Sequence, residues 1–197
     1  LRKSLARRLE IPDAPPRPSD SQSEGLADVM LQTCNADIYP ISDDTLHGWH
    51  QALFPTGWSG LRKINVGAYR QCPADITDAR ETQVYYCAPG SEVIAGEMDA
   101  FIKWFNNPPD GIHPLIYSAI AHLWFVIIHP YEDGNGRISR ALADLALTRQ
   151  EHVRLYATAP VMAQKESGYY EALQKTNNTL DITPWLLKYI FCVDEAV

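Results

Sequence analysis

The stretch His129-Pro-Tyr-Glu-Asp-Gly-Asn-Gly-Arg-Ile-Ser-Arg140 brings together a histidine, two carboxylates, two glycines and two arginines. The apolar segment Leu123 to Ile128 precedes it, and the helix-forming segment Ala141 to Arg149 follows it. A glycine turn between two helices lies where the second helix begins, and the start of a helix attracts anions. The stretch therefore predicts a site that handles phosphate and has a base beside it.

The two glycines of this stretch suit an anion-binding turn. Gly134 and Gly136 free the backbone to adopt positive φ and remove side chains that would block a ligand. Asn135 tolerates a left-handed conformation and is expected to offer its amide to the same anion. Arg137 and Arg140 are three residues apart and lie on neighbouring turns of one helical face. Two guanidinium groups beside one turn favour a polyphosphate over a single phosphate.

Asp133 and His129 supply the remaining chemistry. A carboxylate together with phosphate oxygens is a common way of holding Mg²⁺, and Asp133 directly precedes the glycine turn. Glu132 is the alternative ligand, although adjacent side chains point apart in most turns. His129 ends the apolar segment, and a neutral imidazole there is expected to take a proton from an incoming hydroxyl. A helix C-terminus raises a histidine's pKa, whereas Mg²⁺ and the arginines would lower it.

Composition limits the class of protein. Hydrophobic residues make up 46% and charged residues 21% of 197 residues, which is typical of one globular domain. A net charge of −7 argues against nucleic-acid binding. No apolar run is long enough to span a bilayer and no signal peptide is visible, so no membrane association is expected. The chain contains neither a P-loop sequence nor the HExxH or CxxC spacing of metalloenzymes.

The four cysteines, Cys34, Cys72, Cys87 and Cys192, are scattered along the chain. This spacing favours free thiols in a reducing cytoplasm over a zinc site. A disulfide between Cys72 and Cys87 across a hairpin stays open as an alternative.

Hydrophobic spacing predicts an all-α domain with one small β-hairpin. Residues 1–40 are expected to form an N-terminal helical extension, and residues 41–197 the core of the same domain. Residues 54–70 are predicted to form an irregular connection, and the β-prone runs Ala74 to Thr77 and Thr82 to Tyr86 a hairpin. The helices are expected at Leu1–Leu9, from Ser21 to about Asn35, from a cap at Ser42, from Ser91 to Phe105, at His113–Ile128, through Ala141–Arg149, at Ala159–Asn177 and at Ile182–Val193.

The motif resembles the signature of the Fic family, H-P-F-x-[D/E]-G-N-G-R-x-x-R, with Tyr131 in place of the usual Phe. The segment Gly67 to Arg70, the hairpin after it and Ala88-Pro89 resemble the family's target-docking flap. Tyr169-Tyr170, with Asn177 seven residues after Tyr170, resembles the segment that contacts the nucleoside. The resemblance covers roughly Thr45 to Ile190 and implies a Fic/Fido-type helical fold.

The resemblance implies a protein adenylyltransferase that transfers AMP from MgATP to a Ser, Thr or Tyr hydroxyl of a target protein, which could be the chain itself. His129 would act as the base and Asp133 would hold Mg²⁺. Residues Ile76 and Thr77 of the flap would clamp the target by strand addition. The ATP contacts implied are Gly134, Asn135 and Gly136 to the α- and β-phosphates, Arg137 to the leaving pyrophosphate, Arg140 to the γ-phosphate, and Tyr170 and Asn177 to the nucleoside.

The resemblance also bears on regulation. Many relatives carry an inhibitory helix, [S/T]-x-x-x-E-[G/N], whose glutamate pairs with the final arginine of the motif. Glu24-Gly25 lacks the required Ser or Thr because residue 20 is Asp, and Ser167 to Glu171 fails because Ala172 comes next. Residues Leu1 to Leu9 resemble the segment directly C-terminal to that helix in relatives, so the inhibitory motif is expected just before Leu1 and this chain is expected to be de-repressed.

Three alternatives stay open at the level of sequence. The same scaffold could remove AMP from a target, or it could transfer another nucleotide or a phosphate. A non-catalytic nucleotide-binding module is the third, although such a module needs neither His129 nor Asp133. Exposed aromatics such as Trp58 could mark a homo-oligomer interface.

Overall fold

The computed structural model describes residues 21–34, 39–77, 84–151, 166–177, 179 and 181–194. Within them the chain folds into seven α-helices and two small antiparallel strand pairs, so the predicted helical fold class is confirmed. The predicted helix at Leu1–Leu9 and the first part of the helix predicted from Ala159 lie outside the described residues. The helices are α1 (Ser21–Gln32), α2 (Asp43–Leu53), α3 (Ile94–Asn106, after a 3-10 turn at Ser91–Val93), α4 (Pro114–Ile128), α5 (Asn135–Glu151), α6 (Glu166–Asn177) and α7 (Thr183–Asp194).

Helix α4 is the central element because it is apolar on two faces. One face carries Tyr117, Ala121, Phe125 and Ile128 at helical spacing and packs into a cluster with residues of α1, α2, α3 and α5. The other face carries Ala119, Leu123 and Val126 and packs into a second cluster with residues of α6 and α7. Pro114 begins the helix, where a missing N–H costs nothing. This packing fixes the end of α4, where the motif begins.

Helix α2 shows why local pattern predicted its position well. Ser42 accepts a hydrogen bond from the Thr45 N–H and caps the helix, as expected from the sequence, and the two residues also form a capping box. The residues on its buried face recur at helical spacing: Leu46, Trp49, His50 and Leu53. His50 therefore lies in the core with these apolar side chains, and it contacts the motif at the Asp133 carbonyl.

Two hairpins lie between α2 and α3. Strands β3 (Asp75–Thr77) and β4 (Val84–Cys87) pair antiparallel, with Ile76 opposite Tyr86 and an irregularity between Ile76 and Thr77, and confirm the predicted hairpin. Strands β1 (Trp58–Ser59) and β2 (Arg62–Lys63) form a second hairpin, so the prediction of an irregular connection at 54–70 is wrong there. Two-residue strands have too few positions to show an alternating pattern.

The four cysteines are free thiols, so the disulfide alternative between Cys72 and Cys87 is not realised. Among the described residues, every helix falls short of the length and apolar character needed to cross a membrane.

Candidate active site

His129 ends α4 in a left-handed conformation, with φ 51° and ψ 57°. This conformation is uncommon for a residue with a Cβ and needs support from its surroundings. The backbone N–H still donates to the Phe125 carbonyl, and the carbonyl accepts from Arg70 Nε at 2.7 Å. Arg70 N–H donates to the Pro130 carbonyl at 2.9 Å. The helix and Arg70 therefore hold His129 in place at the C-terminal end of α4.

The imidazole of His129 is neutral and one nitrogen is left as a base. Its Nδ1 lies 3.3 Å from the Val126 carbonyl, which can only accept, so Nδ1 carries the proton and Nε2 the lone pair. Burial lowers the pKa of His129 to about 4; the Val126 carbonyl opposes this, and the Arg70 charge supports it. The expected rise from the helix C-terminus does not prevail, because desolvation is the larger effect.

Arg70 is a buried cation that sequence reasoning did not single out. Its side chain is fully buried, and its guanidinium donates to the carbonyls of His129, Cys72 (2.6 Å) and Pro89 (2.6 Å). Cys72 and Pro89 flank the flap on its two sides. Arg70 therefore ties both ends of the flap to His129, and its place in the Gly67–Arg70 segment was the only sequence signal for this.

The loop between α4 and α5 is held by hydrogen bonds to its carbonyls. Asn135 Nδ2 donates to the Tyr131 carbonyl at 2.7 Å, and its Oδ1 accepts from the Tyr131 N–H at 2.9 Å. Asn135 is almost fully buried, so the expectation that its side-chain amide faces an anion is wrong. The amide closes the loop instead, and Asn135 can meet an anion through its backbone N–H.

Tyr131, the departure from the family's Phe, is fully buried. Its ring stacks on His50 with centroids 4.2 Å apart and planes 15° apart. Its hydroxyl lies 2.8 Å from His47 Nδ1. The ring thus anchors the loop to the core, and His47 satisfies the additional hydroxyl.

Gly134 needs the freedom of glycine. Its φ is +85°, and a Cβ there would lie 2.9 Å from Phe54 Cε2. Its carbonyl accepts from the N–H groups of Arg137 and Ile138, both at 3.0 Å, and so begins α5. Its own N–H donates to Asp133 Oδ1 at 2.5 Å. Gly134 therefore shapes the turn rather than exposing its N–H.

The start of α5 has donors and positive charge that suit an anion. Within the described part of the chain, no hydrogen bond engages the N–H groups of Asn135 and Gly136, which lie at the positive end of the helix dipole. The Arg137 guanidinium lies over the Phe54 ring, 4.6 Å from its centroid. Arg140 Nη1 lies 3.3 Å from where a Cβ on Gly136 would be, so this guanidinium folds back toward the same helix end. Two N–H groups and two guanidinium groups thus converge.

Asp133 is fixed at both its backbone and its carboxylate. Its carbonyl accepts from His50 Nε2 at 3.1 Å, Oδ1 from Gly134, and Oδ2 from the Ser59 hydroxyl. Arg137 Nη2 lies 3.7 Å from Oδ1. The side chain is 41% exposed and remains reachable by a cation.

Glu132 differs from Asp133 in where its carboxylate lies. Glu132 Oε1 accepts from the Asn65 N–H at 3.3 Å, beside the β1–β2 hairpin. Of the two carboxylates, Asp133 is therefore the one at the start of α5, as the sequence favoured. His50 and Ser59, which contact Asp133, were not predicted to belong to the site.

The two flap residues, Ile76 and Thr77, differ in how deeply they are buried. Ile76 is buried in the same cluster as Val126, one turn before His129. Thr77 is half-buried and lies opposite Val84. The segment 78–83 between the strands lies outside the described residues. Ile76 thus anchors the flap to the core by its side chain.

Tyr170 and Asn177 lie on α6, two helical turns apart. Their side chains lie outside the described part of the structure. Ala172 and Leu173 of the same helix pack in the second core cluster beside Ile76 and Val126. The helix is thereby placed against the flap side of the core.

These features define a helical domain with a neutral histidine beside an anion-binding helix start. A family model described as the Fic/DOC family matches residues 40–147, more than half of the chain. The chain belongs to the Fic/DOC family.

Relatives and solved structures agree with this assignment. The chain is 34% identical over 129 residues to Protein adenylyltransferase Fic of Drosophila grimshawi, covering 64% of this chain and 26% of the relative. It is 30% identical over 129 residues to the protein of the same name from Nematostella vectensis, covering 64% and 29%. It is similar in fold to a Fic family protein from Desulfovibrio desulfuricans G20, with TM-score 0.72, 24% identity, and coverage of 99% of this chain and 61% of that one. The chain thus spans about a quarter of the length of these curated relatives.

Proposed function

We propose that the chain is a protein adenylyltransferase, which transfers AMP from ATP to a hydroxyl of a target protein. The observation that carries the proposal is the neutral His129, with its free Nε2, beside the anion-binding start of α5. Family membership supports it, as does the name of the relatives, protein adenylyltransferase Fic.

His129 and the start of α5 divide the reaction between them. Nε2 of His129 takes the proton of the target hydroxyl as its oxygen attacks the α-phosphorus of ATP. The bond between the α-phosphorus and the bridging oxygen breaks, and pyrophosphate leaves with its negative charge. The N–H groups of Asn135 and Gly136 and the guanidinium groups of Arg137 and Arg140 stabilise this charge. Gly134 gives the turn its shape.

The carboxylate of Asp133 is chemically suited to bind Mg²⁺. Its carboxylate is partly exposed and lies at the start of α5, and both of its oxygens accept from neutral donors. Mg²⁺ takes oxygen ligands and is commonly held by one carboxylate together with phosphates. When bound, the ion would neutralise charge on the phosphates, and Asp133 would hold it.

We assign the binding sites of the target and of the nucleoside from the positions of the flap strand and of helix α6. The backbone edge of the flap strand containing Ile76 and Thr77 would receive an extended target segment, which presents a Ser, Thr or Tyr hydroxyl to His129. Tyr170 and Asn177 on α6 would contact the nucleoside. The chain itself is one candidate target, and a cytoplasmic location and a homo-oligomer are further parts of this proposal.

The test uses ATP labelled at the α- or at the γ-phosphate, with the wild-type chain and His129→Ala. We expect α-label on protein with the wild type, and a loss of about 10²- to 10⁴-fold in His129→Ala.

His113→Asn is the matched control, because His113 is exposed and caps α4 and Asn keeps that cap. Label from the γ-position alone indicates a kinase, and nucleotide binding without either product indicates a sensor; release of AMP from a labelled target identifies the reverse reaction. The first two results contradict the proposal, and the third contradicts it when the wild type places no α-label on protein.

A further inference from the structure

The β1–β2 hairpin packs on the acidic part of the motif. Ser59 of β1 donates to Asp133 Oδ2, and Arg62 of β2 donates to the Glu132 carbonyl at 2.8 Å. Just after the hairpin, the Asn65 N–H donates to Glu132 Oε1 at 3.3 Å. Three hydrogen bonds from the segment 59–65 thus reach two successive residues of the motif.

These hydrogen bonds hold Glu132 and Asp133 in different ways. Arg62 and Asn65 hold Glu132 by its carbonyl and its carboxylate, which keeps that side chain on the hairpin side. Ser59 contacts only the carboxylate of Asp133, whose backbone is already held by His50. The contribution particular to Ser59 is therefore the orientation of the Asp133 carboxylate.

The alternative orientation of this carboxylate is a closer, hydrogen-bonded ion pair with Arg137. Arg137 Nη2 lies 3.7 Å from Asp133 Oδ1, longer than a charge-assisted hydrogen bond. Without a donor on Oδ2, the Gly134 N–H on Oδ1 remains the carboxylate's hydrogen-bond donor, and the partly exposed carboxylate can turn about that bond to close on this guanidinium. A carboxylate paired with arginine is a poorer ligand for a cation, because the arginine neutralises its charge and occupies its lone pairs.

We propose that Ser59 is a positioning residue that holds the Asp133 carboxylate away from Arg137 and ready for a divalent cation. The neutral hydroxyl fills one lone-pair position of Oδ2 and leaves another for the cation. A lysine or arginine at position 59 would compete with the cation by charge, whereas serine does not. This inference rests on the part of the proposed function in which Asp133 holds Mg²⁺.

The test measures cation binding, not AMP transfer. Free Mn²⁺ is followed by electron paramagnetic resonance as it is titrated into the full chain with an ATP analogue that carries a methylene between the α- and β-phosphates. We expect Ser59→Ala to weaken Mn²⁺ binding about tenfold, as for loss of one hydrogen bond to a charged group. Ser59→Thr keeps the hydroxyl and should restore wild-type affinity.

Leu61→Ala is the matched control, because Leu61 lies at the tip of the same hairpin and is 98% exposed. It should leave Mn²⁺ affinity unchanged, and urea unfolding of each variant verifies that it is folded. Unchanged Mn²⁺ binding in Ser59→Ala overturns the inference, and tighter binding overturns it by showing that the hydroxyl occupies the cation's position. If the wild type binds Mn²⁺ no better than Asp133→Asn, the metal site of the proposed function fails as well.

Discussion

His50 gives the domain a measurable sensitivity to acid. The side chain is fully buried, and its Nδ1 accepts from the Gly67 N–H at 3.0 Å. Nε2 therefore carries the proton and donates to the Asp133 carbonyl at 3.1 Å. A second proton on Nδ1 would face the Gly67 N–H, so protonation breaks one hydrogen bond and leaves a buried charge. Burial lowers the pKa of His50 to about 4, and contacts with Asp133 offset only part of this effect.

The sign and size of the effect come from linkage between protonation and folding. The ordinary pKa is 6.5, so between pH 6.5 and 4 the unfolded chain binds more protons at this position than the folded chain. His50 contributes its full stability above pH 6.5, and this contribution is lost as the pH falls toward 4. By pH 5 the loss amounts to about 2 kcal/mol of the free energy of unfolding.

The assay compares the free energy of unfolding in urea at pH 7.5 and pH 5 for the wild type and His50→Gln. Glutamine retains a donor for the Asp133 carbonyl but does not titrate. His122 and His129 also have lowered pKa values, about 3 and about 4, and contribute equally in both proteins. We therefore expect the wild type to lose about 2 kcal/mol more than the variant between the two pH values.

A control separates titration from simple destabilisation. Leu46→Met lies on the same buried face of α2 and costs under about 1.5 kcal/mol as a volume-conserving change. It leaves His50 in place and should keep the wild-type difference between pH 7.5 and pH 5. Equal losses in the wild type and His50→Gln would refute the assignment of a neutral, buried imidazole at this position.

Three further predictions concern the motif. The pKa of His129 predicts that kcat/KM for AMP transfer holds from pH 8 down to about pH 5; a decline centred at 6.5 would contradict it. Gly134→Ala should lower the free energy of unfolding by more than about 1–2 kcal/mol, because positive φ and the Phe54 ring both oppose a Cβ. Gly96→Ala, in an open helical position of α3, should raise it by up to about 1 kcal/mol; equal effects would refute the strain argument. Asn135→Ala leaves two buried backbone groups unpaired and should cost about 2–5 kcal/mol in thermal or urea unfolding, whereas a loss under about 1 kcal/mol would count against its role in closing the loop.

Local pattern predicted much of this fold because the relevant signals are short in range. The cap at Ser42 and the buried face of α2 depend on residues within four positions of each other. The motif also lies where expected, between α4 and α5. In contrast, the β1–β2 hairpin depends on a turn and on hydrogen bonds to Glu132, about seventy residues away. The hydrophobic periodicity of a sequence does not indicate contacts between such distant residues.

Side-chain directions in the site were harder to predict than positions. Asn135 was expected to face the ligand, since an exposed amide between two glycines suits an anion. Its bonds to Tyr131, four residues earlier, satisfy backbone groups that burial would otherwise leave unpaired. Arg70 was overlooked because arginine is almost never fully buried unless it is paired, and its partners are carbonyls that sequence does not reveal.

The motif holds the residues of the proposed chemistry, but its geometry is imposed largely from elsewhere in the chain. The loop between α4 and α5 has no ladder of its own, yet each carbonyl from residue 129 to residue 133 accepts a hydrogen bond. The donors, in that order, are Arg70 Nε, Arg70 N, Asn135 Nδ2, Arg62 Nη2 and His50 Nε2. Four of these five donors come from the segment 50–70, which precedes the motif by about sixty residues or more. A loop fixed at every carbonyl undergoes little rearrangement when a ligand arrives, and such preorganisation is what electrostatic stabilisation of a phosphoryl group requires. Substitutions in the segment 50–70 should therefore impair the site even where they contact no ligand.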